Sequence, residues 1–324
     1  MFIECKISEF KPAVLFQVQA GWGALSRAFP RVLNSQPKPQ AAPAVGIEPP
    51  LMIREKPHDS GMADVQNRPD TRRIKIDKVG VKDIRYPVTV RAKNRNDQRT
   101  VASVNMYVDL PHHYKGTHMS RFIEILARHR HSISLQSIST ILSDMKHRLN
   151  ADSAHLELSF PYFIEKKAPV TGEVSLMEYT CAISGGTQRN GRPEIRVSVT
   201  VPISTLCPCS KEISAFGAHN QRGQVTVTVE FKRFFWMEDL IRLVETSSST
   251  EVFSLLKRAD EKFVTEAAYQ NPMFVEDVVR EVAVKLLADD TFTSFSIAAE
   301  NFESIHNHSA YAYLEHCVDG NTEP

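Results

Sequence analysis

Two hydrophobic periods take turns along this chain. Residues 84–91 and 101–110 are rich in Val, Tyr and Thr and predict strands. Met119, Phe122, Ile123, Ile125 and Leu126 then recur at helical spacing, as do Ile138, Ile141, Leu142, Met145 and Leu149, so two helices follow. Strand patterns return over 156–165, 173–184 and 194–201, with Asn190-Gly191 as a tight-turn signal between the last two. A second round begins with a strand over 224–232. A helical region runs with breaks from Met237 to about Asp289, and within it Val275, Val278, Val279, Val282 and Leu286 form an apolar stripe. Residues 292–299 and 309–314 predict the closing strands. The order strand pair, helices, strand pair therefore occurs twice, which predicts a duplicated α+β unit with antiparallel sheets.

The first 61 residues do not share this pattern. They hold eight of the 18 prolines, and residues 36–50 show no sustained period. A segment of that kind buries too little to offset its ordering entropy. The expectation is a disordered stretch over 1–61, either an extension upstream of a natural start at Met62 or a native disordered tail, and a globular domain over 62–324.

Charge and cysteines narrow the class. A net charge of +1 carries no footprint for nucleic acid. No apolar run reaches the ~18–20 residues of a membrane span. Residues 13–25 are mildly apolar, but Gln17, Gln19, Glu4 and Glu9 suit a secretory signal poorly. The five cysteines are sparse and unevenly spaced, which points to a reducing cytoplasm rather than a disulfide framework.

Candidate chemistry gathers in three connections, where function concentrates. Cys207-Pro208-Cys209-Ser210-Lys211-Glu212 and Gly217-Ala218-His219-Asn220-Gln221-Arg222-Gly223 bring thiols, a Lys, a His and an Arg together between two predicted strands. Thiolate and imidazole are ligands for zinc and similar ions. The spacing matches no zinc finger, and it leaves two inert cysteines beside a surface His as the other reading. His112, His113, Lys115, His118 and Arg121 precede a predicted helix and suit an anion, or simply a solvated loop. Glu303 and His306 can form a proton-transfer pair, or belong to a polar turn. Glu261 and Glu276 fall early in predicted helices, where acids complement the helix dipole in any case.

Four strings taken together resemble the type IB GTP cyclohydrolase I family. They are Lys115-Gly116-Thr117-His118-Met119-Ser120-Arg121-Phe122, the run from Cys207 to Ser214, the run from Gly217 to Gly223, and the run from Glu303 to Ala310. The likeness runs from about Met62 to the C-terminus. It implies a tunnelling fold of two tandem ββααββ units with helices on one face, assembled as a homotetramer with sites between subunits. It implies hydrolysis of GTP to 7,8-dihydroneopterin 3'-triphosphate and formate, the first step towards tetrahydrofolate and related pterins, through a metal-activated water attacking guanine C8. By resemblance, Cys207, His219 and Glu261 hold one divalent metal (zinc, manganese or iron(II)). Glu276 anchors the guanine, and Cys207 and His306 are catalytic. Ser210 and Lys211 contact the triphosphate, with His118 and Arg121 as second-rank candidates for that job. Two rivals remain on the same fold. One is the nitrile reductase of queuosine synthesis, whose nicotinamide-binding motif is not found in this sequence. The other is a non-catalytic purine-binding scaffold.

Overall fold

The computed structural model describes residues 66, 68–93, 97–130, 133–187, 191 and 193–317. The expectations for residues 1–61, for Met62 and for Asn190 lie outside these residues.

Eight strands pair in chain order, each antiparallel to its neighbours, into one sheet. They are β1 (Ile76–Val90), β2 (Gln98–Leu110), β3 (Ala154–Lys167), β4 (Val174–Thr187), β5 (Glu194–Leu206), β6 (Asn220–Phe231), β7 (Phe292–Phe302) and β8 (Ser309–Cys317). Helices α1 (Met119–His129) and α2 (Leu135–Leu149) lie between β2 and β3. The short α3 (Pro208–Ile213) interrupts the β5–β6 hairpin, and α4 (Met237–Glu245), α5 (Arg258–Gln270) and α6 (Val275–Leu287) lie between β6 and β7. The order is ββααββ twice, as the duplicated α+β pattern predicts, with α3 and one more helix added in the second unit. The β4–β5 ladder, from Thr180↔Thr200 to Gly186↔Glu194, fuses both halves into one continuous sheet.

Cross-strand partners share a face, so the register shows where the core lies. Val104, Leu158, Ile183, Val197, Val229 and Phe295 follow one another as partners from β2 to β7, all buried. Each such side chain contributes roughly 1.5–3 kcal/mol by leaving water. Helix α2 covers this face so closely that a Cβ on Gly185 would stand 2.7 Å from Ile138 Cγ2. Its ends are fixed locally. Ser134 accepts the Ser137 N–H at the start, and Asn150 stops the helix in the left-handed region at φ 50°.

The predicted stripes of α2 and α6 are buried as read. In α1 the buried set narrows to Phe122, Ile125 and Leu126, while Met119 and Ile123 are exposed on the neighbouring strip of the helix. Strand β1 begins eight residues before its predicted start. Register shifts at Ile76/Val79 and Val81/Ile84, with Asp83 at φ 57°, break the two-residue period there.

A pair of phenols ties the two units together. Tyr162 and Tyr179 are cross-strand partners on β3 and β4. Their hydroxyls donate at 2.6 Å to Glu238 and at 2.6 Å to Glu245, which lie two turns apart on α4. Lys166 completes the pairing at 2.5 Å from Glu245. Burial, reinforced by these carboxylates, pushes both phenol pKa values far up.

Candidate functional site

The β5–β6 ladder ends at Leu206↔Asn220, and one further bond, Cys207 N–H to His219 C=O at 3.1 Å, sets these two residues opposite each other. Two residues that the sequence separates by a loop are thus set opposite each other by antiparallel pairing. Pro208 opens α3 at a position where its missing N–H costs nothing. The Ser210 N–H donates to Cys207 Sγ at 3.4 Å. Ser210 Oγ donates to Cys207 C=O at 3.1 Å and accepts from His219 N–H at 3.2 Å, so it knits the corner shut.

The corner is gripped from below. Leu206 donates its N–H to Ser249 Oγ at 3.1 Å and accepts from Met273 N–H at 3.1 Å. Ser247, Ser248 and Ser249 are all buried in the α4–α5 connection. Met273 lies just before α6, so the backbone beside Cys207 is bonded to the segment that leads to Glu276. Glu276 itself is exposed in the first turn of α6.

The β7–β8 turn supplies the other side. Ser304 Oγ lies 3.1 Å from His219 Nδ1. Glu303 accepts from Gln221 Nε2 at 3.3 Å, and its second oxygen lies 3.5 Å from His306 Nδ1. Glu303 is nearly buried, while the His306 ring is half exposed and stacks on His308 at 5.2 Å. Cys207, Ser210, His219, Glu303 and His306 are therefore joined by short links.

Other expected residues sit differently. Lys211 is engaged by α5, its ammonium 2.5 Å from the Tyr269 carbonyl and 4.5 Å from the Tyr269 ring centroid. Glu261 is exposed in the first turn of α5. Among the described residues, no three His, Cys, Asp or Glu side chains gather closely enough to hold a metal. Within one chain, then, Cys207 and His219 are brought together without Glu261. Arg121 in the first turn of α1 donates to Arg148 C=O at 3.1 Å, which gives it a structural job at the end of α2. His118 precedes α1 and also has an interaction partner. A polar hollow over β3, β4 and β5, lined by His155, Glu157, Glu194 and Arg196 among others, contains none of the expected site residues.

The sequence reading missed the residue next to Glu261. Asp260 is fully buried and accepts from Val170 N–H, Thr171 N–H, Thr171 Oγ1 and Lys257 N–H at 2.7–2.9 Å. Desolvation raises its carboxyl pKa, but the Thr171 hydroxyl and the three N–H groups outweigh it and hold the carboxyl well below the usual range. This clamp seats the start of α5 on the β3–β4 turn. The available signal was an acid three residues into a predicted helix, the position that reaches back to the cap.

The chain matches the family model described as type I GTP cyclohydrolase folE2 over residues 62–312. A protein named GTP cyclohydrolase FolE2 from Syntrophus aciditrophicus is 61% identical over 254 residues, covering 78% of this chain and 99% of that one. Namesakes from Syntrophobacter fumaroxidans and Geobacter sulfurreducens are each 59% identical over 254 residues, covering 78% of this chain and 99% and 98% of theirs. Among solved structures, uricase from Arthrobacter globiformis aligns with 76% of this chain and 96% of its own at 6% identity and a TM-score of 0.46, too low to bear on ligand or activity. By the family model and by identity across nearly the whole of these relatives, the chain belongs to the type I GTP cyclohydrolase folE2 family.

Proposed function

We propose that this chain hydrolyses GTP to 7,8-dihydroneopterin 3'-triphosphate and formate, and that the corner joining Cys207, His219, Glu303 and His306 is where it does so. The single observation that carries the site is that backbone pairing sets Cys207, a free cysteine, opposite His219 at the end of the β5–β6 ladder, with a carboxylate–imidazole pair linked to His219 through Ser304.

The donor chemistry fits a divalent metal. Cys207 and His219 would supply sulfur and nitrogen and Glu261 an oxygen, a mixed set that suits zinc, manganese or iron(II). When bound, such an ion supplies a Lewis acid and a water of lowered pKa. Glu261 does not gather with the other two in one chain, so the proposed site is completed at a contact between copies, in a homotetramer. Support comes from Ile213 and Phe216 beside the corner, apolar side chains that are 85% and 101% exposed and suit burial by another subunit.

The chain's own groups take the remaining roles. The Glu276 carboxylate accepts from guanine N1–H and the exocyclic amine, a paired contact that adenine cannot make. His306, held by Glu303, donates a proton to the ring nitrogen as the imidazole opens. Lys211 reaches the triphosphate by exchanging the Tyr269 carbonyl for phosphate oxygen, beside Ser210. Four described cysteines are free, which fits action in a reducing cytoplasm, and no described helix is long and apolar enough to cross a membrane.

The test is an anaerobic assay with GTP and separately added Zn(II), Mn(II) and Fe(II), scoring formate and a fluorescent pterin. Stoichiometric formate with at least one metal is expected. No formate with any metal, or NADPH-dependent reduction of a nitrile-bearing purine-like base, would sink the proposal.

A further inference from the structure

Three buried side-chain oxygens lie just inside the corner, and no described residue offers them a hydrogen bond. They are Thr205 Oγ1, Gln221 Oε1 and Asn301 Oδ1, on residues that are 0%, 8% and 1% exposed. Thr205 and Gln221 are direct cross-strand partners on β5 and β6. Asn301 on β7 pairs with Gly223, two residues along β6 from Gln221 and therefore on the same face. Gly223 is what allows this arrangement. A Cβ there would stand 2.5 Å from Asn301 Oδ1, so the amide oxygen lies over the glycine. Opposite residues such as Thr205 and Gln221 stand about 5 Å apart and diagonal ones such as Gln221 and Asn301 about 7–8 Å, while Asn301, two strands from Thr205, brings its oxygen back towards them by laying it over Gly223.

One unmet buried group costs about 1–3 kcal/mol, and three in one spot call for a shared partner. Buried water characteristically takes about three hydrogen bonds from such groups. The donors and acceptors here balance for one molecule. The Thr205 hydroxyl donates to the water oxygen, and the two water hydrogens go to Gln221 Oε1 and Asn301 Oδ1.

We infer that Thr205, Gln221 and Asn301 form a buried water subsite that fixes the Gln221 amide, and through it the Glu303 carboxylate that holds His306. The water makes the amide oxygen face inward. The amide N–H is thereby left to face Glu303, where it donates at 3.3 Å. Turned over, the same amide would present its oxygen to a carboxylate and lose the bond. Gln221 is thus a positioning residue, and Thr205 acts on catalysis only through the water. The catalytic consequence rests on the proposed cyclohydrolase activity, while the water site stands on the geometry alone.

The experiment has three arms on the metal-loaded protein. A crystal structure fine enough to show ordered solvent should contain a water within hydrogen-bond reach of at least two of the three oxygens. That water should be absent from Thr205→Val, which keeps the side-chain shape and removes the hydroxyl. Thr205→Val should lower kcat with GTP by ~10-fold, the lower end for loss of an outer-shell partner, with KM changed by less than about twofold, and Thr205→Ser should restore it. Thr205→Val should also lower Tm, whereas in a dry corner it would raise Tm by removing an orphaned hydroxyl. A dry corner, an unchanged kcat, or a KM effect without a kcat effect would overturn the inference, the last because substrate would then be the partner. Should Thr205→Val not fold, Gln221→Met must show the same loss of water and of kcat. If the wild type releases no formate from GTP, the cyclohydrolase proposal fails by itself, and the crystallographic and melting arms still decide the water site.

Discussion

In the first ββααββ unit the opening hairpin, β1–β2, closes through residues 91–97, and in the second the matching hairpin, β5–β6, closes through 207–219 with α3 inserted. The closing hairpins differ as well. The β3–β4 turn, residues 168–173, serves to receive Asp260, while the β7–β8 turn, 303–308, carries Glu303, Ser304 and His306. The sheet itself does not distinguish the units, since one buried apolar row crosses both. Both units keep the same hydrophobic rule, and the Cys207, His219 and Glu303–His306 groups proposed as the site lie in the connections of the second, where side chains are not needed for packing.

That contrast can be broken most sharply at the corner. Cys207→Ala should abolish formate release and bound metal together while far-UV circular dichroism stays unchanged, and normal turnover would remove Cys207 from the site. Next in size, Glu276→Gln should cut kcat/KM for GTP by roughly 10²-fold, the range for losing a charge-assisted pair. An equal loss with a substrate analogue lacking the exocyclic amine would show that the guanine edge is not its target.

Asp260→Asn probes where the units lean on one another. The folded-state pKa of Asp260 is depressed, so its stabilisation is complete above the unfolded value of ~4 and is lost as pH falls towards the folded one. The variant should melt several degrees lower than wild type at neutral pH, and the gap should shrink as pH drops below about 4. A gap independent of pH would mean that the carboxylate charge is not what holds the turn. The smallest effect is expected at the first hairpin. Lys93→Ala removes an exposed ion pair to Asp239 and should change stability by less than about 1 kcal/mol and leave turnover intact, as measured by melting and by formate release.

Much of this was legible in the residues. Periodicity found the strand and helix order, and it found the α2 and α6 cores because those stripes are long and uninterrupted. It lost the first part of β1, where bulges shift the register, and it missed α3, which is too short to show a stripe. Of the site, Cys207 and His219 stood out by type, but only the ladder says that they face each other. Glu261 and Glu276 could not be found from pattern at all, since an acid in a first turn is ordinary. Thr205, Gln221 and Asn301 look like common strand residues, and their interest arises from burial without partners, a property of three strands together.

The phenol pair of β3 and β4 bears on how the protein can be made. Because Tyr162 and Tyr179 give their hydroxyls to carboxylates on α4, neither half is a self-sufficient module. A gene split between β4 and β5 would yield fragments that each expose half of a buried polar joint, as well as a raw sheet edge. Such halves should be found only as partners made together, never as separate proteins.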